Sequence, residues 1–243
     1  MLRQFKADLH IHTCLSPCAE LKMSPQGILD AAKKKGLDIL GICDHNSSEN
    51  SFAMMEAARK TGIHILPGME VTSEEEVHVL ALFDEIGKAQ ALQEYVYRYL
   101  PGKNDEETFG MQVIVNEHEE VLGFTDKLLI GATTIPLEDV LKQIHSLEGI
   151  AIASHIDREA FSIIGQLGFI PDKMELDALE ISPSITIEEA RKKYPYPYPI
   201  TRSSDAHTPD DIGKSHTSFL LQEVTVPEIR KALQNREGRR SIL

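Results

Sequence analysis

The sequence predicts an α/β fold in one domain, with a parallel sheet closed into a barrel. Three observations carry this reading. Short apolar runs alternate with amphipathic helical patterns along most of the chain. A length of 243 residues is one at which α/β barrels remain undivided. Ionisable residues, histidine above all, recur toward one end of the apolar runs.

The first run, FKADLHIHT from Phe5 to Thr13, has period two, so Leu9 and Ile11 are expected on one face and Asp8, His10 and His12 on the other. SPQGILDAAKKKG follows as a helix, with Ser24 placed to cap it, Pro25 suited to its first position and Gly36 suited to end it. LDILGICDH, Leu37 to His45, has the continuous apolar character of a buried strand. FAMMEAARKTG then reads as a helix, and IHILPGMEV and VHVLALF as strands. KAQALQEYVYRYL and PLEDVLKQIHSLEG, the latter opened by Pro136, read as helices on either side of residues 101–135. That stretch fits neither period and is read as an insertion over the site. IAIASHID, ALEIS, ITRSSDAH and SFLLQEV complete the strands, before a helix opened by Pro227. KKYPYPYPI reads as a rigid extended connector and REGRR as a solvated tail.

With 25 basic and 38 acidic residues the net charge is −13. Such a surface repels polyanions and is expected to exclude long nucleic acid, while a cluster of divalent cations reverses the sign locally for a small anionic substrate. The N-terminus lacks a basic start followed by an apolar run, and no stretch approaches the roughly 18 apolar residues of a membrane span, so a cytoplasmic protein without a membrane partner is expected. Cys14, Cys18 and Cys43 are odd in number, which fits a reducing compartment. The sequence is silent on oligomeric state.

In a parallel barrel, active sites are built at the C-terminal ends of the strands. His10 and His12 stand at the end of the first, Asp44 and His45 at the second, Glu70 at the third, and His78 lies within the fourth. His155 follows IAIAS, and Asp205 and His207 close ITRSSDAH. The other histidines, His64, His118, His145 and His216, fall on helices and loops. One such histidine alone reads as a structural residue. Six of them with Glu70 and Asp205 read as a metal centre, because imidazole and carboxylate suit zinc, iron or manganese and outnumber the ligands of a single tetrahedral ion. Two or three divalent ions are expected.

These residues resemble the PHP (polymerase and histidinol phosphatase) domain family. Its four motifs stand here in order: His10-x-His12 in DLHIHT, Asp44-His45 in GICDHNS, His155 in ASHID and Asp205-x-His207 in SSDAH. Glu70 in PGMEV and His78 in VHVLAL match further positions that the family uses, and the resemblance spans Asp8 to His207. It implies a distorted (β/α)7 TIM-like barrel that holds up to three metals and hydrolyses phosphomonoesters or phosphodiesters. It also implies one ion on His10, His12, Glu70 and Asp205, and a second on Glu70, His78 and His155 with the glutamate bridging. The third would take His45, His207 and a residue shortly after the H-x-H pair. Many relatives have Asp or His five or six positions beyond the second histidine, whereas this chain has Pro17 and Cys18. Cys18 as a thiolate or Glu20 as a carboxylate is the candidate there, with a small buried thiol as the plainer reading of Cys18. A cluster on Cys14 and Cys18 lacks a third nearby cysteine. Asp44 is expected to orient a neighbouring histidine.

The resemblance implies hydrolysis of a small phosphomonoester or nucleotide-type phosphate by a metal-bridging hydroxide, with Asp205 managing the proton and His207 as second candidate. Arg158, just past His155, is the expected phosphate fork, followed by Lys214 and Arg202. Three rival readings remain: an amidohydrolase, which would need a lysine at a middle strand end; a 3′–5′ exonuclease or oligonucleotide-end phosphodiesterase; and a non-catalytic metal-binding regulatory module, which would be expected to have lost several ligands.

Overall fold

Helix α1 (Pro25–Lys35) forms as its sequence predicts in the computed structural model, which describes residues 1–243. The Ser24 hydroxyl accepts from the Gly27 amide, and Gly36 closes the helix at φ 65°, a left-handed conformation that glycine adopts without Cβ strain. Lys33, Lys34 and Lys35 sit against the negative end of the helix dipole, and Ile28, Leu29 and Ala32 are buried.

The helix connects β1 (Arg3–Ile11) to β2 (Ile39–Ile42); then come α2 (Ser51–Ala58), β3 (His64–Thr72), β4 (His78–Leu82) and α3 (Ile86–Tyr99). The inserted segment holds a one-turn α4 (Glu106–Phe109) and a hairpin of β5 (Val113–Val115) and β6 (Val121–Phe124). Beyond it follow α5 (Leu137–Ser146), β7 (Ile150–Ala153), α6 (Ile163–Leu167), β8 (Ala178–Ile181), α7 (Ile187–Lys193), β9 (Ile200–Arg202), β10 (Thr217–Leu221), α8 (Val226–Leu233) and β11 (Arg240–Ile242).

Nine strands form one sheet in the order β11-β10-β1-β2-β3-β4-β7-β8-β9. Its two ends nearly meet. Ile11 bridges to Ala206 just past β9, with the His12 amide donating to the Ala206 carbonyl (3.0 Å) and the Ala206 amide to the His10 carbonyl (3.2 Å). At the opposite end β10 wedges in: Thr217 pairs with Ala7, and its hydroxyl bonds the Arg202 main chain. The result is a TIM-like α/β barrel in a single domain.

Two expectations about the barrel strands are corrected. The sheet is not parallel throughout, because β4 runs antiparallel to both β3 and β7. Only residues 73–77 separate β3 from β4, far short of the dozen or more that a parallel crossover needs. Nor do Leu9 and Ile11 share a face. The pairing of β1 with β2 shifts register between Asp8 and Ile11. Leu9 therefore packs inside the barrel with Phe5, Ala7, Leu66, Leu80 and Ile152, while Ile11 packs outside with Ile28, Leu29 and Met54. An irregularity of this kind re-aims the side chains that follow it.

The inserted segment lies against the loops that follow β1 and β2. The Asn50 side-chain amide donates to the Val113 carbonyl and its oxygen accepts from the Val115 amide, both at 3.0 Å, while Asn46 donates to the carbonyls of Leu129 and Gly131. The basic end is not a solvated tail: β11 pairs with β10, and Arg239 reaches Glu228 at 2.9 Å. No helix is long and apolar enough to cross a membrane.

Candidate metal centre

The elements bring all six predicted imidazoles to one rim. His10 and His12 come from the re-aimed end of β1, His45 from the turn after β2, His155 from the turn after β7 and His207 from the segment after β9. His78 opens β4 rather than ending it, and reaches the same rim because β4 runs the opposite way.

Glu70, near the end of β3, stands at the centre. Its Oε1 lies 3.3 Å from His10 Nε2, 3.0 Å from His78 Nδ1 and 3.4 Å from His155 Nε2, and its Oε2 lies 3.1 Å from His45 Nδ1 and 3.6 Å from His12 Nε2. Asp205 Oδ1 is 3.2 Å from His10 Nε2 and 3.1 Å from His12 Nε2. All of these groups are buried; the His207 side chain is 27% exposed. Asp205 and His155 hold left-handed backbones (φ 51° and 29°), the kind of strain that sites retain when their surroundings enforce it.

Hydrogen bonding does not account for this crowding. His45 Nδ1, His78 Nδ1 and Glu70 Oε1 are buried without a hydrogen-bond partner, although each lies close to others of the set. Buried polar atoms are ordinarily paired, so lone pairs that converge on common points fit shared cations. The tautomers agree. His10 Nδ1 donates to Glu180 Oε1 (2.9 Å) and His207 Nδ1 to the Asp205 carbonyl (2.8 Å). His12 Nδ1 donates to the Ser16 hydroxyl (3.0 Å), whose own proton goes to Asp44 Oδ1 (2.7 Å). With each Nδ1 protonated, each Nε2 keeps a lone pair for a metal. Three groups have ligand atoms within 4.8 Å of one another: His10, His12 and Asp205; His45, Glu70 and His78; and His12, His45 and His207. His45 thus faces Glu70 as well as His207.

The electrostatics are those of a cation cage. Burial opposes ionisation of Glu70 and Asp205, but the surrounding imidazoles outweigh it and hold both carboxyls well below the usual range. Burial likewise disfavours the His10 imidazolium, yet Asp205, Glu180 and Glu70 together raise His10 well above the ordinary value. Cys18 has its thiol within hydrogen-bonding reach of His207 and His45; burial pushes it up, and the two imidazoles bring it down to about 6. Cys18 is exposed rather than a buried thiol, and all three cysteines are free. Glu20 is exposed and meets this region only through its amide, which donates to the His207 carbonyl.

Arg158 stands at the mouth, its guanidinium 2.5 Å from Asp205 Oδ2 and its side chain 43% exposed. The other two basic candidates lie elsewhere. Lys214 reaches back to Asp211, and Arg202 carries its charge beside His216. Two residues that support the site escape the motif reading. Glu180 also accepts from the His155 amide (3.2 Å), and its signal was an acid inside the apolar run ALEIS. Ser16 lies four residues past His12 and gives no signal of its own.

A family model described as PHP domain matches residues 8–208, and one described as PHP-associated matches residues 190–237. The chain belongs to the PHP family. It is 34% identical over 100 residues to the uncharacterized protein MJ1587 of Methanocaldococcus jannaschii, an alignment covering 37% of this chain and 58% of that protein. It is 24% identical over 262 residues to the uncharacterized protein YqxK of Bacillus subtilis, covering 99% of this chain and 65% of that one. Among solved structures it resembles the lesion-specific endonuclease Q of Pyrococcus furiosus, with a TM-score of 0.70 and 20% identity over 99% of this chain and 58% of that one. The PHP chain spans less than two thirds of the length of each of these relatives.

One expectation falls here. A structure of endonuclease Q with a 27-mer duplex carrying an abasic lesion at its active site shares this fold (TM-score 0.67, 20% identity, 98% of this chain and 58% of that one), so net charge does not exclude long nucleic acid from such a barrel. The physical reason is that the net charge sums the whole chain, buried acids included. Asp8, Asp44, Glu70, Glu180 and Asp205 are all buried at or near the cage, where cations would offset them.

Proposed function

We propose that the PHP chain hydrolyses the phosphate ester of a nucleotide-type substrate, either free or at the end of a nucleic acid strand. The observation that carries this is the set of overlapping histidine and carboxylate groups around Glu70. His10, His12 and Asp205 would hold one divalent ion and Glu70, His78 and His155 another, with Glu70 shared; His45, His207 and the Cys18 thiolate would hold a third. Bound there, zinc, manganese or iron would supply positive charge for the phosphate oxygens and acidify a water.

The side chains divide the remaining work. Arg158 is half-exposed, so it can leave Asp205 and fork two phosphate oxygens as the ester enters. That movement frees Asp205 Oδ2 to take the proton of the attacking water, while Oδ1 remains among the imidazoles. His207, partly open to solvent, is the next group able to carry that proton outward. The inserted segment 101–135 borders the substrate on the rim, and the three free thiols suit a reducing, cytoplasmic setting.

The test is release of p-nitrophenol from its mono- and diesters, and of phosphate from nucleotides, with manganese, zinc or iron added. Turnover should vanish in a His10→Ala/His12→Ala protein, and Asp205→Asn should lower kcat by roughly 10²–10⁴-fold while part of the metal is retained. Equal activity in wild type and the double variant would leave a binding module. The likeness to endonuclease Q favours a second substrate, an internal bond of a duplex, and a duplex with an abasic site belongs in the same panel.

A further inference from the structure

The loop between β7 and α6 carries an aromatic residue that the reaction described above does not use. Phe161 lies three residues past Arg158, and its ring stacks on the His78 imidazole with centroids 4.7 Å apart and planes 17° from parallel. Its carbonyl accepts the His78 amide at 2.9 Å, so one residue grips that histidine through both ring and main chain. The backbone at Phe161 is left-handed, φ 57°, a conformation that a bulky side chain adopts only when its surroundings enforce it. The Ser162 hydroxyl pins the same turn to the Arg158 carbonyl at 2.6 Å.

A packing role alone would bury the ring, yet Phe161 is 39% exposed. The ring covers His78 while part of the residue stays open to solvent, in the same loop as the guanidinium that meets Asp205. A planar charged group and an aromatic ring, three residues apart in one loop beside the histidine and carboxylate cluster, match the two halves of a nucleotide. We propose that Phe161 is the platform on which the nucleobase adjoining the scissile phosphate stacks. This rests on the nucleotide reading of the site. Base–aromatic stacking tolerates any base, so the platform would select for the presence of a base rather than for its identity.

The chain has no tryptophan, so Phe161→Trp introduces a single indole at the point in question. In the manganese-loaded protein its fluorescence should be quenched by adenosine 5′-monophosphate and left unchanged by ribose 5-phosphate. Kinetically, Phe161→Ala should raise KM about tenfold or more, equivalent to about 1.4 kcal/mol, for the base-bearing member of a matched pair relative to any change in the base-free member. The pairs are adenosine 5′-monophosphate against ribose 5-phosphate, and thymidine 5′-(p-nitrophenyl phosphate) against methyl p-nitrophenyl phosphate. Phe161→Trp should keep the wild-type preference. Equal losses on both members of a pair, or an indole unmoved by a nucleotide that the protein hydrolyses, would make Phe161 a mere cover for His78 and overturn the proposal. Wild-type protein that hydrolyses neither pair would instead sink the nucleotide reading on which it stands.

Discussion

Glu180 belongs to none of the recognisable motifs, yet its Oε1 accepts from His10 Nδ1 and from the His155 amide, fixing two imidazoles at once. Replacing it with glutamine keeps the shape but weakens the acceptor that holds the His10 tautomer. Metal affinity should fall roughly 10–100-fold, measured by competition with a chromogenic chelator, while kcat at saturating metal stays near wild type. A Glu180→Gln protein that binds metal as tightly as wild type would reduce the carboxylate to a structural acid. At this scale the ligand histidines were legible because they sit in tight sequence pairs or directly after apolar runs. Ser16 and Glu180 were not, because a supporting residue is defined by the neighbour it touches, and those neighbours lie up to 170 positions away.

Among the elements, Asp177 ties three together: it accepts from the Ala151 amide of β7, from His145 of α5 and from Arg230 of α8, at 2.9, 3.0 and 2.8 Å. Burial pushes its carboxyl up, but the bonds from His145, Arg230 and Ala151 prevail and hold it below the ordinary value. An acid whose folded pKa is depressed stabilises the fold above its unfolded pKa of about 3.9 and loses that contribution as pH falls through the folded value. Asp177→Asn should cost about 1–3 kcal/mol in urea unfolding at pH 7. The gap to wild type should narrow below pH 4; a gap independent of pH would assign the loss to shape rather than charge. Helix α1 was legible to its caps because capping is local chemistry. The direction of β4 is legible too, because the five residues before it cannot span a parallel crossover. The hairpin of β5 and β6 and the short β11 were not, because such strands are stabilised by partners rather than by their own sequence.

For the whole molecule, the decisive quantity is where charge sits rather than its sum. Five buried acids near one rim make the net charge of −13 a poor guide to what can approach that rim. Two of them, Glu70 and Asp205, would also tie stability to the ions proposed to sit between them and the imidazoles. Adding zinc or manganese at about a hundred times Kd to chelator-treated protein should raise Tm by roughly 5–10 °C, followed by circular dichroism, and should raise that of a His10→Ala/His12→Ala protein by less. An unchanged wild-type Tm would mean that the cage gains nothing from metal.

The meeting of Ile11 with Ala206 has a consequence for biosynthesis. The cage draws on residues from 10 to 207, so a chain emerging from the ribosome exposes His10, His12, His45, Glu70 and His78 well before His155, Asp205 and His207 exist. Closing the pocket therefore depends on a pairing between distant parts of the chain, the kind of contact that forms slowly because a long loop must close before it is rewarded.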